Sequence, residues 1–376
     1  MVAEPPGITG VKVLHLSAGN LFGGVETYLL TLARLRHLCP AMEPEFGLCF
    51  AGRLRDELLT ERVPVHDLGA VRASRPWTVW RARWRLKRLL RERGIGVAVT
   101  HSAWPHAVFG PAVRRSGVRL VNAVHGELNP RHWINRWAAC TPPDAVVANS
   151  RFTAGPAAAV FPGVPVTPVY LPVSPPRLDR EQTRREVRAE IGTPTNAVVI
   201  LQASRLESWK GQRVHIEALG RLKGVSNWET WFAGGPQKPG ESEFLDELKA
   251  IANRLGISQR IKFLGQRPDV PRLMAAADIY CQPNTSPEPF GIVLVEALYS
   301  GLPVVTSAAG GAEEIVTHGC GFLVKQADEE SVASALWELV AHSERRQELG
   351  KAGPARAAEL CDPVHQTAAL ATVLVD

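Results

Sequence analysis

Val11-Lys-Val-Leu-His-Leu-Ser-Ala-Gly-Asn-Leu-Phe-Gly-Gly-Val-Glu26 decides how the chain is read. Val11 to Ser17 reads as a buried first strand, and Ala18 to Gly24 as a glycine-containing loop. Val25 to Arg36 has helical periodicity, with Leu29, Leu30 and Leu32 on one side. Strand, glycine loop and helix together make the phosphate-facing turn of a Rossmann unit. The glycines do not follow Gly-x-Gly-x-x-Gly, which argues against a dinucleotide. The same order recurs in the second half. Ala197–Ala203 is strand-like, Ser204-Arg-Leu-Glu-Ser-Trp-Lys-Gly211 follows, and a helix runs through Ile216, Leu219 and Leu222. Arg205 and Lys210 therefore arrive together at a strand end, where two cations can neutralise a diphosphate.

Between these anchors, strand candidates alternate with helices. They are Phe46–Phe50, Val97–Thr100, Arg119–Val124 and Ala145–Ala148, then Trp228–Gly235 and Ile261–Gly265. That alternation predicts parallel, doubly wound sheets, and 376 residues fit two domains of roughly 150 residues each. Ligands in such sheets sit at the carboxyl ends of strands, so His101 and His125, each just after a strand, point toward a site. A proline-rich stretch (Pro162, Pro165, Pro168, Pro172, Pro175, Pro176) leads into a charged helix candidate, Asp179 to Ile191. The change of composition marks a domain boundary.

A third stretch, Ser286-Pro-Glu-Pro-Phe-Gly-Ile-Val-Leu-Val-Glu-Ala-Leu298, carries the chemistry. Ile279 and Tyr280 end a strand, and Pro283, Pro287 and Pro289 hold a loop. From Gly291 the pattern is helical, through Ile292, Leu294, Val295 and Leu298. One carboxylate (Glu288) lies in the loop and another (Glu296) about a turn into the helix. Between them are helix-start amides without intrahelical partners, which with the helix dipole favour an anion. Carboxylate, anion site, carboxylate suits a nucleotide sugar, with hydroxyls at each end and a diphosphate between.

Composition narrows the class. The chain is 45% apolar and 21% charged with a net charge of +6, ordinary for a globular protein with two cores and no call for a nucleic-acid partner. Cys39, Cys49, Cys140, Cys281, Cys320 and Cys361 are scattered, which argues against a disulfide framework or zinc site and for a reducing compartment. Met1-Val-Ala-Glu-Pro-Pro-Gly7 lacks the basic start and apolar run of a leader, and no apolar run approaches ~18 residues. A cytoplasmic protein is expected. Pro76 to Gly94 forms an amphipathic helix: Val79, Ala82, Leu86, Leu89 and Leu90 gather on one face. Trp77, Trp80 and Trp84 gather opposite, among Arg81, Lys87, Arg88 and Arg91. Either the tryptophans pack under neighbouring loops or the face meets anionic lipid at the membrane's inner surface.

Glu288-x7-Glu296, Gly23-Gly24-Val25-Glu26 and Arg205 with Lys210-Gly211 resemble the motifs of retaining glycosyltransferases of family 4, which have the GT-B fold. Gly310-Gly-Ala-Glu-Glu-Ile-Val316 extends the likeness, which covers Ala197 to about Val340 and, more loosely, residues 11–150. The resemblance implies an α/β protein with two facing Rossmann-like domains built on parallel sheets. Residues 1–174 would bind the acceptor and 175–356 the nucleotide sugar, with 357–376 crossing back to the first domain. It implies transfer of a hexosyl-type group, with retention, from a donor such as a UDP- or GDP-sugar to a hydroxyl of a glycan, lipid-linked sugar or small molecule. No cofactor and no metal are implied, and no Asp-x-Asp motif appears. By the same resemblance Arg205, Lys210 and the helix start at Gly291 hold the leaving diphosphate, Glu288 the sugar hydroxyls and Glu296 the ribose. His125 would lie beside the donor sugar, while His101 reads as structural. Gly23, Gly24 and Gly234 would let the donor approach backbone, and Gly265-Gln266-Arg267 would meet the base. Pro289, Phe290, Ile292 and Val293 would complete the donor site. Leu171-Pro-Val-Ser174 departs from the family's Asn-Gly-Val-Asp turn, which touches the hinge rather than the chemistry. A GT-B epimerase of nucleotide sugars and a non-catalytic nucleotide-sugar-binding protein are the alternatives.

Overall fold

The structure is a computed structural model that describes residues 10–20 and 23–375. Met1–Gly7, read above for a leader, and Leu21 and Phe22 of the first loop lie outside the described residues. The chain forms two compact units, one running to Val173 and resuming at Cys361, the other Ser174–Leu360.

The first unit is built on β1 (Val11–Ser17), β2 (Met42–Leu48), β3 (Val65–Asp67), β4 (Val97–His101), β5 (Arg119–Val124), β6 (Ala145–Ala148) and β7 (Val166–Pro168). They make one parallel sheet in the order β3-β2-β1-β4-β5-β6-β7. Its central strands are covered on both faces, so Val13, Leu14, Val97, Ala98 and Val121 are all buried and the strands read as near-continuous apolar runs. The winding reverses between β1 and β4, the kind of place where such sheets open a crevice for ligands.

Two expectations are corrected here. The second strand begins at Met42, not Phe46, and stops at Leu48. Glu43 and Glu45 had hidden its start; the buried Glu45 carboxylate is held by His66 Nε2 at 2.7 Å and Arg93 Nη2 at 2.9 Å. The proline-rich stretch is also not all linker, since β7 lies inside it as an edge strand, where proline costs no ladder bond on the open side. Helix Pro363–Val375 belongs to this unit: it buries Leu370 and Leu374, and Arg119 Nη2 donates to the Val373 carbonyl at 3.1 Å.

Helix Pro76–Arg93 starts with proline at its first position and ends on Gly94 in the left-handed region, φ 64°. It buries Val79, Ala82, Leu86 and Leu90, while Trp77, Trp80 and Trp84 are 65%, 72% and 54% exposed. The alternative in which loops cover these tryptophans is thereby removed.

The second unit repeats the plan with β8 (Val198–Ala203), β9 (Trp228–Ala233), β10 (Ile261–Gly265), β11 (Ile279–Gln282), β12 (Val304–Ser307) and β13 (Gly321–Val324). The parallel order is β10-β9-β8-β11-β12-β13, with the reversal between β8 and β11. Ile200, Ile216, Leu219, Trp228, Phe232, Leu248 and Leu336 fill the core between sheet and helices. Both units are thus Rossmann-like α/β layers, as the repeated strand, loop and helix predicted. No helix of the described residues is long and apolar enough to cross a membrane.

Candidate functional site

In the second unit the site grows from the two strands that flank the reversal. The loop after β8 ends in a 3-10 turn, Ser208–Lys210, and then Gly211 at φ +75°. A Cβ on Gly211 would run into the Pro283 carbonyl, so only glycine lets this loop lie against the end of β11. That contact places Lys210 Nζ 2.7 Å from Glu288 Oε2, with the Trp209 ring 3.9 Å from the same ammonium. Asn284 Nδ2 and Gln282 Nε2 donate to the same oxygen at 2.7 and 3.2 Å. Gln282 is itself held by the Tyr280 hydroxyl, 2.9 Å from its Oε1. Three donors converge on Oε2 and lock the carboxylate. Sequence reading had given Lys210 and Glu288 separate tasks; the fold joins them as one ion pair.

Arg205, on the same loop, is 38% exposed and turned toward Glu207, Nη2 to Oε2 2.9 Å. Glu207 also takes Lys238 Nζ at 2.9 Å and Trp209 Nε1 at 3.0 Å. A further cation, Lys238, absent from the sequence reading, therefore shares Glu207 with Arg205.

After Glu288 the chain turns through Gly291, φ +105°, into helix Ile292–Tyr299. The amides of Ile292 and Val293 have no partner among the described residues. Burial pushes the Glu296 carboxyl up from 4.5 to about 7. Phe290 is only 2% exposed, so it can meet a ligand through backbone alone. The same holds for Arg267, whose guanidinium is committed to Asp269 at 2.8 and 2.7 Å and to Glu190 at 2.8 Å. Gly265 carries φ +66° and accepts from the Gly234 amide at 2.8 Å, which ties Gly265-Gln266-Arg267 to the end of β9. Pro289 lies between Glu288 and Phe290 on the Glu288 loop.

In the first unit, Gly23 opens helix Gly24–Leu35 and its amide donates to Glu26 Oε2 at 3.0 Å. A Cβ on Gly24 would meet nothing within 4 Å, so the chain's own packing does not require glycine there. His125 follows β5 and is half-buried. Burial holds its imidazole down to about 4, so it is neutral near pH 7. His101 is buried with both ring nitrogens partnered: its Nδ1 lies 2.9 Å from His125 Nε2, and its Nε2 lies 3.0 Å from His15 Nδ1. Tyr28 packs its ring against His125 and His101, centroids 5.4 and 6.0 Å apart. His15 sits inside an apolar run and Tyr28 at the start of one, and neither gave a signal of its own. Among the described residues no group of three or more His, Cys, Asp or Glu could hold a metal ion.

Comparison with known proteins matches the chain to two families. "Glycosyltransferase Family 4" covers residues 22–175 and "Glycosyl transferases group 1" covers 183–356. A GDP-mannose-dependent alpha-(1-6)-phosphatidylinositol monomannoside mannosyltransferase of Mycolicibacterium smegmatis is 30% identical over 72% of this chain and 73% of its own length. A lipopolysaccharide core biosynthesis glycosyltransferase, LpsE, of Rhizobium meliloti is 33% identical over 44% of this chain. The chain spans about half the length of that relative (46%) and 43% of a D-inositol 3-phosphate glycosyltransferase of Corynebacterium urealyticum. Among solved structures, Anabaena HepE in complex with UDP and glucose superposes with a TM-score of 0.84 at 26% identity. It covers 97% of this chain and 100% of its own.

Proposed function

The chain belongs to the family 4 glycosyltransferases of GT-B fold, and from that membership we propose that it transfers a hexosyl-type group from a nucleotide-diphosphate sugar to a hydroxyl acceptor, with retention and without a metal. The observation that carries the reading is the Lys210–Glu288 pair at the reversal of the second sheet, beside Arg205 and the unpartnered amides of Ile292 and Val293. In this reading the cations and the helix start hold the diphosphate. They take up negative charge as the glycosyl–oxygen bond breaks, which is stabilisation aimed where charge develops. Glu288 Oε1 accepts from sugar hydroxyls and Glu296 from ribose. The acceptor hydroxyl gives its proton to the departing phosphate, so Glu288 need not act as nucleophile. UDP and GDP sugars are the donors to try first, since HepE structures hold UDP and UDP-glucose and the mycobacterial relative uses GDP-mannose.

Incubating the protein with a panel of nucleotide sugars and no acceptor tests this. Slow release of free nucleotide diphosphate from one donor is the expected result. A nucleotide-linked epimer in place of free diphosphate would make the chain an epimerase, and inertness toward every donor would make it a binding protein. Activity on the best donor should survive exhaustive chelation, because the cations are side chains. Loss with EDTA and recovery with magnesium or manganese would end the metal-free account.

The exposed tryptophan face supports a second part of the reading, that the enzyme works at an anionic membrane surface on a lipid-linked acceptor, peripherally from the cytoplasmic side. Trp77, Trp80 and Trp84 stand clear of the protein with Arg81, Lys87 and Arg88 on the same helix. Vesicles containing anionic lipid should bind the chain, less so as salt rises. Changing the three tryptophans to serine should abolish that binding and leave Tm nearly unchanged. Binding that persists in the triple variant would place the membrane contact elsewhere, and none in the parent would favour a soluble glycan or small-molecule acceptor.

A further inference from the structure

β1, β4 and β5 lie side by side, and each delivers one histidine toward the carboxyl ends of the strands. His15 is 1% exposed and His101 2%, while His125 reaches the half-buried edge. The rings form an unbroken line: His15 Nδ1 to His101 Nε2 at 3.0 Å, then His101 Nδ1 to His125 Nε2 at 2.9 Å. At the inner end, His15 Nε2 is buried with no hydrogen-bond partner. Phe46 stacks on His15 with centroids 5.5 Å apart, and Tyr28 covers the other two rings.

Counting protons fixes the direction of this line. Burial lowers the pKa of all three imidazoles, to about 3 for His15 and about 4 for His125, so each ring is neutral and carries one proton. Each of the two bridges uses one proton, which leaves the third at one end or the other. If the bridges ran inward, the third would sit on His15 Nε2 as a buried N–H with nothing to accept it. Orphaned buried N–H groups are the rarer and costlier defect, compared with a lone pair left unshared. If the bridges run outward, every ring carries its proton on Nδ1. The third proton then stands on His125 Nδ1, at the edge where solvent or substrate can accept it.

We propose that His101, itself hydrogen-bonded by His15, is a positioning residue that fixes the tautomer of His125, so that His125 presents Nδ1–H as a donor to a substrate oxygen at the carboxyl end of the first sheet. The inference deepens the function proposed above and rests on a substrate lying at that strand end. Its chemical consequence is specific. A nitrogen already bearing hydrogen cannot take a proton from the acceptor, so His125 orients and polarises, and the departing phosphate remains the base.

Histidine nitrogen NMR on the uniformly labelled full chain reads the tautomer of each ring without reference to activity. His125 is expected to show a protonated Nδ1 and a bare Nε2. His15→Phe removes the first donor but leaves the buried His101 Nε2 facing an apolar ring, so the same accounting keeps Nδ1–H on His101 and His125. His101→Phe leaves His125 Nε2 without its donor and should shift His125 toward the Nε2–H tautomer. That variant should also lower kcat on the order of 10-fold, the scale of a misoriented catalytic group, with donor KM within about twofold. Finding Nε2–H on His125 in the parent overturns the proposal, as does Nδ1–H on His125 that persists unchanged in His101→Phe. If the tautomer shifts as expected yet neither His101→Phe nor His125→Ala alters turnover, the relay stands and the placement of a substrate oxygen at His125 is what fails.

Discussion

Lys210→Ala is expected to depress turnover by ~100-fold or more at saturating donor, the scale of removing one preorganised charge contact from a developing anion. The effect has two sources. In the proposed reading the ammonium is lost from the diphosphate, and in the structure Glu288 loses the cation on Oε2, retaining the neutral amides of Gln282 and Asn284. A carboxylate left buried without its partner is also strongly unfavourable, so the melting temperature must be followed alongside. Arg205→Ala should lower turnover on a similar scale with less effect on folding, because Arg205 is only half-buried and Glu207 keeps Lys238. If both variants fold and turn over like the parent, the diphosphate lies elsewhere and the assignment falls.

Glu288→Gln and Glu296→Gln should separate kcat from KM. Glu288 is pinned through Oε2 and is read as offering Oε1 to the reacting sugar, so the amide should lower kcat by roughly 100-fold with donor KM little changed. Glu296 is read as a ribose contact, equal in ground and transition states. Its amide should raise donor KM about 10-fold, the loss of one charge-assisted hydrogen bond, and leave kcat nearly intact. Burial adds a pH signature, because the Glu296 carboxyl titrates at about 7 rather than 4.5. The ionised form accepts from both ribose hydroxyls, so donor KM in the parent should fall as pH rises through about 7, and Glu296→Gln should flatten that profile. The sign for stability is opposite. The folded chain keeps a proton that the unfolded chain releases near 4.5, so stability from this group is full below that pH and lost as pH rises to about 7. The reverse ordering of kcat and KM effects would mean that the two carboxylates have been exchanged.

What the sequence could show depended on how local the signal was. β5, β6 and β10 fall where their apolar runs place them, and the loops at Gly211 and Gly291 are legible because glycine there answers a steric demand. β3 and β7 are three-residue edge strands, too short for any periodicity, and β2 was masked by Glu43 and Glu45. Glu45 makes sense only once His66 and Arg93 arrive from elsewhere in the chain. The site divides the same way. Arg205, Lys210, Glu288 and Glu296 lie in recognisable stretches, and Gln282 and Asn284 are polar residues at a strand end beside Glu288 that could have been singled out. His15 could not: it is one histidine in an apolar strand until β4 and β5 bring two more within reach.

The most direct test of the account is the anomeric configuration of the first product. Proton NMR should follow the sugar as it leaves the preferred donor, with an acceptor once one is found, or with water at times short against mutarotation. The account predicts that the transferred sugar keeps the configuration it had on the nucleotide diphosphate. Inverted product would contradict it, and would require a base positioned opposite the leaving group in place of the phosphate-assisted transfer described here.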